Sequence, residues 1–291
     1  MGSLLERRML VDFSHVVYRN FFMSRRQIDS LNAENPGNGF FYLKFLLYQS
    51  LFYITEKFSP SEVVLAIDGE KNWRKKFYNE YKANRKEKRD KDDFDWETFF
   101  DDLKKFTNEI KENFPFKIIG NEYLEADDVA GWFARTKNDV ETIMITSDKD
   151  WTQLLKYKNI KMWDPVDKKY INLEDPEGDL KIKILMGDRG DNVPPIRRGI
   201  GIKTAIKILA DEERYKEETQ KYRKELKRNS VLIDLKYTPS NLLERLEKSY
   251  QTYEIQIKNL SHLYGYFSKM KMSKMCDRLT SISKTLSSID F

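Results

Sequence analysis

A single cysteine, Cys276, stands among 291 residues, so no disulfide can form within the chain. With only His15 and His262 beside it, no zinc cage of Cys and His ligands can be assembled either. Any metal must therefore be held by oxygen, which suits magnesium, with manganese as a substitute. No apolar run approaches the roughly 20 residues that a membrane helix needs, and the N-terminus lacks the apolar centre of a signal peptide. A cytoplasmic chain without a membrane partner is the expectation. The length suits an α/β core with a smaller appended domain, and an attached polymerase is not expected.

Charge, by contrast, is abundant: 52 Lys and Arg stand against 47 Asp and Glu, for a net charge of +5. Nine of those acids occupy the motif positions described below, and setting them aside leaves 38 acids against 52 bases, an excess of 14. If the nine face metal, the remaining surface is that of a polyanion binder. A 40% hydrophobic and 13% aromatic content supplies a core, so the chain is not disordered.

Short apolar runs that end in an acid recur along the first half: residues 9–11 before Asp12, 63–67 before Asp68, and 142–145 shortly before Asp148. Such runs are the pattern of buried parallel strands. Residues 116–119 and 160–163 predict further strands, and 43–58 and 129–136 carry helical spacing between them. The alternation argues for a doubly wound sheet. Between Lys71 and Lys91 ten basic residues meet three acids, followed by Asp92, Asp93 and Asp95. Trp73, Phe77 and Tyr81 fall at helical spacing within this segment, which predicts a basic helix over at least its first half, with an aromatic stripe on the core. Beyond about residue 180 the strand pattern stops and helices follow over 180–186, 203–210, 212–228 and three later segments. The division is thus a core over 1–179 and a helical part over 180–291, with the Ser-rich residues 281–288 expected to fray.

In an open parallel sheet the loops at the carboxyl ends of strands converge on one crevice. Asp12, Asp68 and Asp148 have that placement, Asp150 joins the last loop, and Glu125, Asp127 and Asp128 open a helix. Each acid alone is explained as a turn or capping residue. That explanation does not predict three acid-ended strands, an acid-dense helix start and the further pair Asp188 and Asp191 in one chain. Converging like charges demand cations. Two divalent ions in such a cluster suit phosphodiester hydrolysis and need no histidine as base. The segment 187–205 leaves one helix, turns and enters another; there Gly199 and Gly201 are expected to permit positive φ and close approach to phosphate, with Lys203 and Thr204 at the helix start.

Together these residues resemble the flap endonuclease and 5′ exonuclease family, particularly its bacteriophage members. The most specific matches are Leu10-Val11-Asp12-Phe13-Ser14, Ala66-Ile67-Asp68, Tyr123-Leu124-Glu125-Ala126-Asp127-Asp128, Ser147-Asp148-Lys149-Asp150, and Gly187-Asp188 with Asp191-Asn192. The resemblance implies a PIN-like nuclease core with two metal sites. Asp12, Asp68, Asp127 and Asp148 would surround one ion, Asp150, Asp188 and Asp191 the second, and Glu125 and Asp128 match further family acids. It also implies a helical arch or clamp over about 70–95, in which Lys82 and Arg85 hold the scissile phosphate, Arg74 and Lys75 extend the basic wall and Tyr81 stacks on a base. The glycine segment resembles a helix-turn-helix element that grips duplex phosphates and often binds potassium, although Pro195 stands where the common form has glycine.

The implied activity is metal-dependent cutting of 5′ flaps, nicked duplex or RNA–DNA hybrid, as in primer removal during phage DNA replication, by a monomer. An RNA-processing PIN nuclease would need neither the arch nor the glycine turn, and an inactive nucleic-acid-binding scaffold would have lost acids that are all present. The C-terminal residues Leu286 to Phe291 look like a peptide that docks on a sliding clamp, set against simple packing on the helical part. A single-strand-binding protein is the other expected partner.

Overall fold

A computed structural model describes residues 6–255 and 261–289. Six strands form one sheet in the order β3-β2-β1-β4-β5-β6: β1 (Arg7–Asp12), β2 (Glu62–Ala66), β3 (Phe116–Ile119), β4 (Glu141–Ile145), β5 (Ile160–Asp164) and β6 (Lys169–Ile171). All neighbours are parallel except β5 and β6. Each strand of the first five coincides with an apolar run read from the sequence. Their residues are buried alternately on two faces: Met9, Val11, Val63, Leu65, Ile143 and Ile145 on one side, Leu10, Val64, Ala66 and Met144 on the other. The register sets Asp12 against Ala66 and Val11 against Ile145, so the three central strands end level with one another. The strand order reverses at β1, and that is where an α/β sheet opens its crevice.

On the first face lie α1 (Phe13–Glu34), α2 (Asn38–Phe58) and α5 (Trp96–Asn113). The second face is covered by α6 (Ala126–Thr136), a 3₁₀ helix over Lys149–Lys156 and α11 (Ser240–Gln251). The helical region beyond residue 175 contains α7 (Pro176–Met186), α8 (Ile202–Leu209), α9 (Glu212–Lys221), α10 (Arg223–Ile233), α12 (His262–Lys269) and α13 (Ser273–Leu286). One small apolar cluster, built from residues such as Leu185, Ile200 and Ile208, is its own, and another joins its Leu180, Ile184 and Leu232 to Tyr81 of the basic segment. Leu263, Phe267, Met275, Ile282 and Leu286, however, join the cluster on the first face of the sheet. Among the described residues no helix is long and apolar enough to cross a membrane.

Two expectations change here. The basic segment is not one helix with an aromatic stripe: α3 (Trp73–Phe77) stops at Tyr78, and α4 (Ala83–Asp90) starts after Lys82, whose φ is 54°. Trp73 and Tyr81 are buried, but Phe77, the last residue of α3, is 48% exposed, so the three rings form no common stripe. Nor do residues 281–288 fray, since α13 runs to Leu286 with Ile282, Leu286 and Ile289 packed in the core. Burial of Ile289 favours the packing account of the tail; Asp290 and Phe291 lie outside the described residues.

Candidate active site

Asp12 ends β1 and caps α1, accepting from the His15 backbone N–H at 3.0 Å and from Thr146 Oγ1 at 2.9 Å. It is 4% exposed, and burial, reinforced by the nearby Asp68 charge, pushes its pKa up to about 7. Asp68, two residues past β2, accepts from the Ala126 N–H at 2.8 Å and so touches the start of α6. Its carboxyl is also raised, by desolvation and then by Glu125. Asp127 accepts from Trp151 Nε1 at 2.8 Å and is raised by desolvation against the pull of Lys82, with Asp148, Glu125 and Asp150 adding repulsion. Asp148 caps the 3₁₀ helix through the Asp150 N–H at 2.8 Å. These mutual influences place the acids of all three central strands and of α6 within one field.

The second group is tighter. Among the described residues, Asp150, Asp188 and Asp191 are the one set of three whose carboxylate oxygens lie within 4.8 Å of one another. The four acids expected around a first ion do not meet that closely. A tight hairpin builds the loop that carries Asp188 and Asp191: Asp188 and Val193 exchange backbone bonds of 2.8 and 2.7 Å, and Gly187 adopts φ 70° with its Cα against the Val193 carbonyl, where a Cβ would lie 2.3 Å away. Only glycine fits there. The donor set is all oxygen, with neither Cys nor His in the group, and therefore fits hard divalent cations such as magnesium.

Basic side chains bridge the two groups. Glu125 accepts from Arg74 at 3.0 Å and from Tyr81 at 3.1 Å, and it pairs with Lys82. Burial would raise its pKa, but Lys82 and Arg74 outweigh that and bring it down to about 2. Asp191 accepts from Arg85 at 2.7 Å and Tyr81 at 3.1 Å. Lys183, on α7, pairs with both Asp150 and Asp188.

Several sequence assignments are corrected by these contacts. Asp128 is fully buried and takes bonds from Trp73, both terminal nitrogens of Arg74, Thr238 and its own capping-box partner Glu125. Its lone pairs are spent, so it braces the fold instead of facing a metal. Arg74, 1% exposed, also donates to the Leu232 carbonyl at 3.1 Å, so it is no part of an outer basic wall, whereas Lys75 is exposed. Tyr81, 2% exposed, spends its hydroxyl on Glu125 and Asp191, leaving no ring face for a base. Gly199 has φ 84°, but Gly201 has φ −118° in extended backbone. At the start of α8 the space beside Gly201 is open, and a Cβ there would meet nothing within 4 Å. Gly199→Ala should accordingly cost about 1 kcal/mol in urea unfolding, the usual penalty of a left-handed non-glycine residue, while Gly201→Ala stays within about 0.5 kcal/mol. Equal losses would show that the two positions share one conformational demand.

Sequence reasoning missed Lys183, Trp151 and Thr146. Trp151 follows Asp150 directly, a signal that could have been read; Lys183 had none beyond its place five residues before Asp188.

Residues 7–181 match the family described as 5′-3′ exonuclease, N-terminal resolvase-like domain. Ribonuclease H of Enterobacteria phage T4 is 28% identical over 93% of this chain and 94% of its own length. Among solved structures, bacteriophage T5 D15 protein co-crystallised with metal ions matches with a TM-score of 0.65 at 20% identity, covering 84% of this chain and 98% of that one. A T5 D15 flap endonuclease variant in a complex with DNA and metal ions matches at 0.62 and 19%, with the same coverage. At those identities the two structures speak for the fold alone.

Proposed function

Since the chain belongs to the 5′-3′ exonuclease and flap endonuclease family, we propose that it is a metal-dependent nuclease that cuts 5′-ended strands at flaps, nicks and RNA–DNA hybrids, removing primers or flaps during phage DNA replication. One observation carries this reading: acids from the ends of β1, β2 and β4 and the start of α6 act on one another within one field, and a basic segment beside them pairs its Lys82 with Glu125 and its Arg85 with Asp191. A nuclease of phosphodiesters needs that pairing of cation-holding acids with phosphate-holding bases.

In this reading the core is PIN-like. Asp12, Asp68, Asp127 and Asp148 would hold one divalent cation and Asp150, Asp188 and Asp191 another. Bound there, such ions neutralise charge at the scissile phosphate and acidify the attacking water. The chain's own groups do the positioning. Thr146 and Trp151 fix the Asp12 and Asp127 carboxylates, and Lys82 and Arg85, now paired with Glu125 and Asp191, would turn to the phosphate. Residues 180–291 grip the duplex beside the cut, with the open Gly201, exposed Lys203 and half-buried Thr204 at the start of α8 as a helix-turn-helix contact to phosphates. The division at residue 179 is one of role, because α11 to α13 share the core's apolar clusters.

The test is product length from 5′-labelled flap, nicked and hybrid substrates in magnesium, manganese or chelator. Short products released from the 5′ end only when metal is present are expected, whereas internal cutting of RNA without regard to the 5′ end would overturn the reading. Lys82→Ala with Arg85→Ala should slow cleavage about a hundredfold, the usual loss on removing groups that stabilise transition-state charge. Duplex affinity, measured by anisotropy, should fall only a few-fold. An equal fall in both would make the two residues general electrostatic contacts.

A further inference from the structure

We propose that Lys183 is a built-in counter-ion of the second acid group, holding Asp150 and Asp188 together until a divalent ion displaces it. This rests on the reading of Asp150, Asp188 and Asp191 as cation ligands. Those three acids come from two separate pieces of chain, the 3₁₀ helix after β4 and the hairpin after α7, and their oxygens lie within 4.8 Å. Like charges so close, with Asp191 only 8% exposed, repel strongly unless a cation stands among them.

Lys183 supplies one. From the last turn of α7 its ammonium group contacts Asp150 and lies 2.8 Å from Asp188 Oδ2, and its side chain is 26% exposed. It thus joins the two chain segments on which the acids ride. A divalent ion bound by Asp150 and Asp188 would need the lone pairs that Lys183 now occupies, and an ammonium left within about 4 Å would repel it. The two cations therefore exclude each other. Lysine suits this role because its charge sits on a flexible four-carbon stem with a solvent-facing route out. Arg74, by contrast, is locked by its buried partners. The arrangement keeps the acid group assembled without metal, at the expense of affinity for the ion that belongs there.

Lys183→Met keeps the length and packing of the stem and removes the charge. In manganese titrations followed by calorimetry and by electron paramagnetic resonance, the weaker ion should bind roughly tenfold more tightly in this variant, the scale of one screened unit charge near the site. The metal-free melting temperature should fall, and saturating manganese should restore it to the wild-type value. Unchanged or weaker ion affinity overturns the proposal, and would instead fit a lysine that serves phosphate. Should Lys183→Met fold only with metal, that supports it; should it not fold at all, Lys183→Gln is titrated instead, with the same two outcomes. Asp188→Asn separates the proposal from its premise. If it leaves the number of bound ions unchanged, the ligand assignment falls and the proposal with it. If it removes one ion while Lys183→Met gains no affinity, only the role of Lys183 is lost.

Discussion

Asp127→Asn is expected to lower cleavage by about a thousandfold or more, since an ion that stabilises transition-state charge by about 4 kcal/mol is worth that factor in rate. Flap affinity should stay within a few-fold, because phosphate contacts supply most of the binding. Asparagine is the informative replacement. Its Oδ1 can still accept the 2.8 Å bond from Trp151 Nε1, so the side chain keeps its place while losing the charge among Asp148, Asp150 and Glu125. The metal-free protein should even gain stability, because desolvation and neighbouring acids already hold the Asp127 carboxylate well above its usual range. Single-turnover cleavage in magnesium, flap anisotropy in calcium and a melting curve in chelator read the three quantities. Substantial magnesium-dependent turnover would remove Asp127 from the catalytic set.

Arg74→Met should have the largest effect on stability, about 3–5 kcal/mol by denaturant unfolding, the range for a buried pair that loses one partner. The reason is Asp128, which is fully buried and loses two of its donors, while Glu125 loses a third contact and the Leu232 carbonyl a fourth. These bonds tie α3 to α6 and to the end of α10, so the loss reaches from the basic segment into the helical region. Combining Arg74→Met with Asp128→Asn should recover part of the loss, because the uncompensated charge is gone. A residue that merely contacted DNA would instead leave stability alone and flatten the salt dependence of binding.

The acid cluster was legible for local reasons. A buried strand must be a short apolar run, and an acid at its end marks the crevice side, so Asp12, Asp68 and Asp148 could be placed before any partner was known. The helix start at Glu125 to Asp128 was equally plain, as a capping pattern. The antiparallel edge strand β6, three residues long and mostly exposed, carried no apolar run and went unread. The positive φ assigned to Gly201 failed because Gly-x-Gly says that two positions are free, without saying which one the turn uses.

Asp127 and Asp128 show where sequence stops. They are identical residues, adjacent on one helix, and any rule about acids in a first turn treats them alike. The helix's rotation sends Asp127 toward Trp151 and the acids, and Asp128 toward Trp73, Arg74 and Thr238, the last 110 residues away. The same holds for the bases: Arg74 looked like a phosphate contact and is sealed inside, while Lys183 looked like any helical lysine and lies between two acids. The chain by itself determined five of the six strands, the acids at their ends and the excess of basic residues, because periodicity, capping and composition do not depend on distant partners. Which charge meets which was decided by tertiary structure alone, because partners come together only when register, helix rotation and the return of the C-terminal helices fix distances across a hundred residues or more.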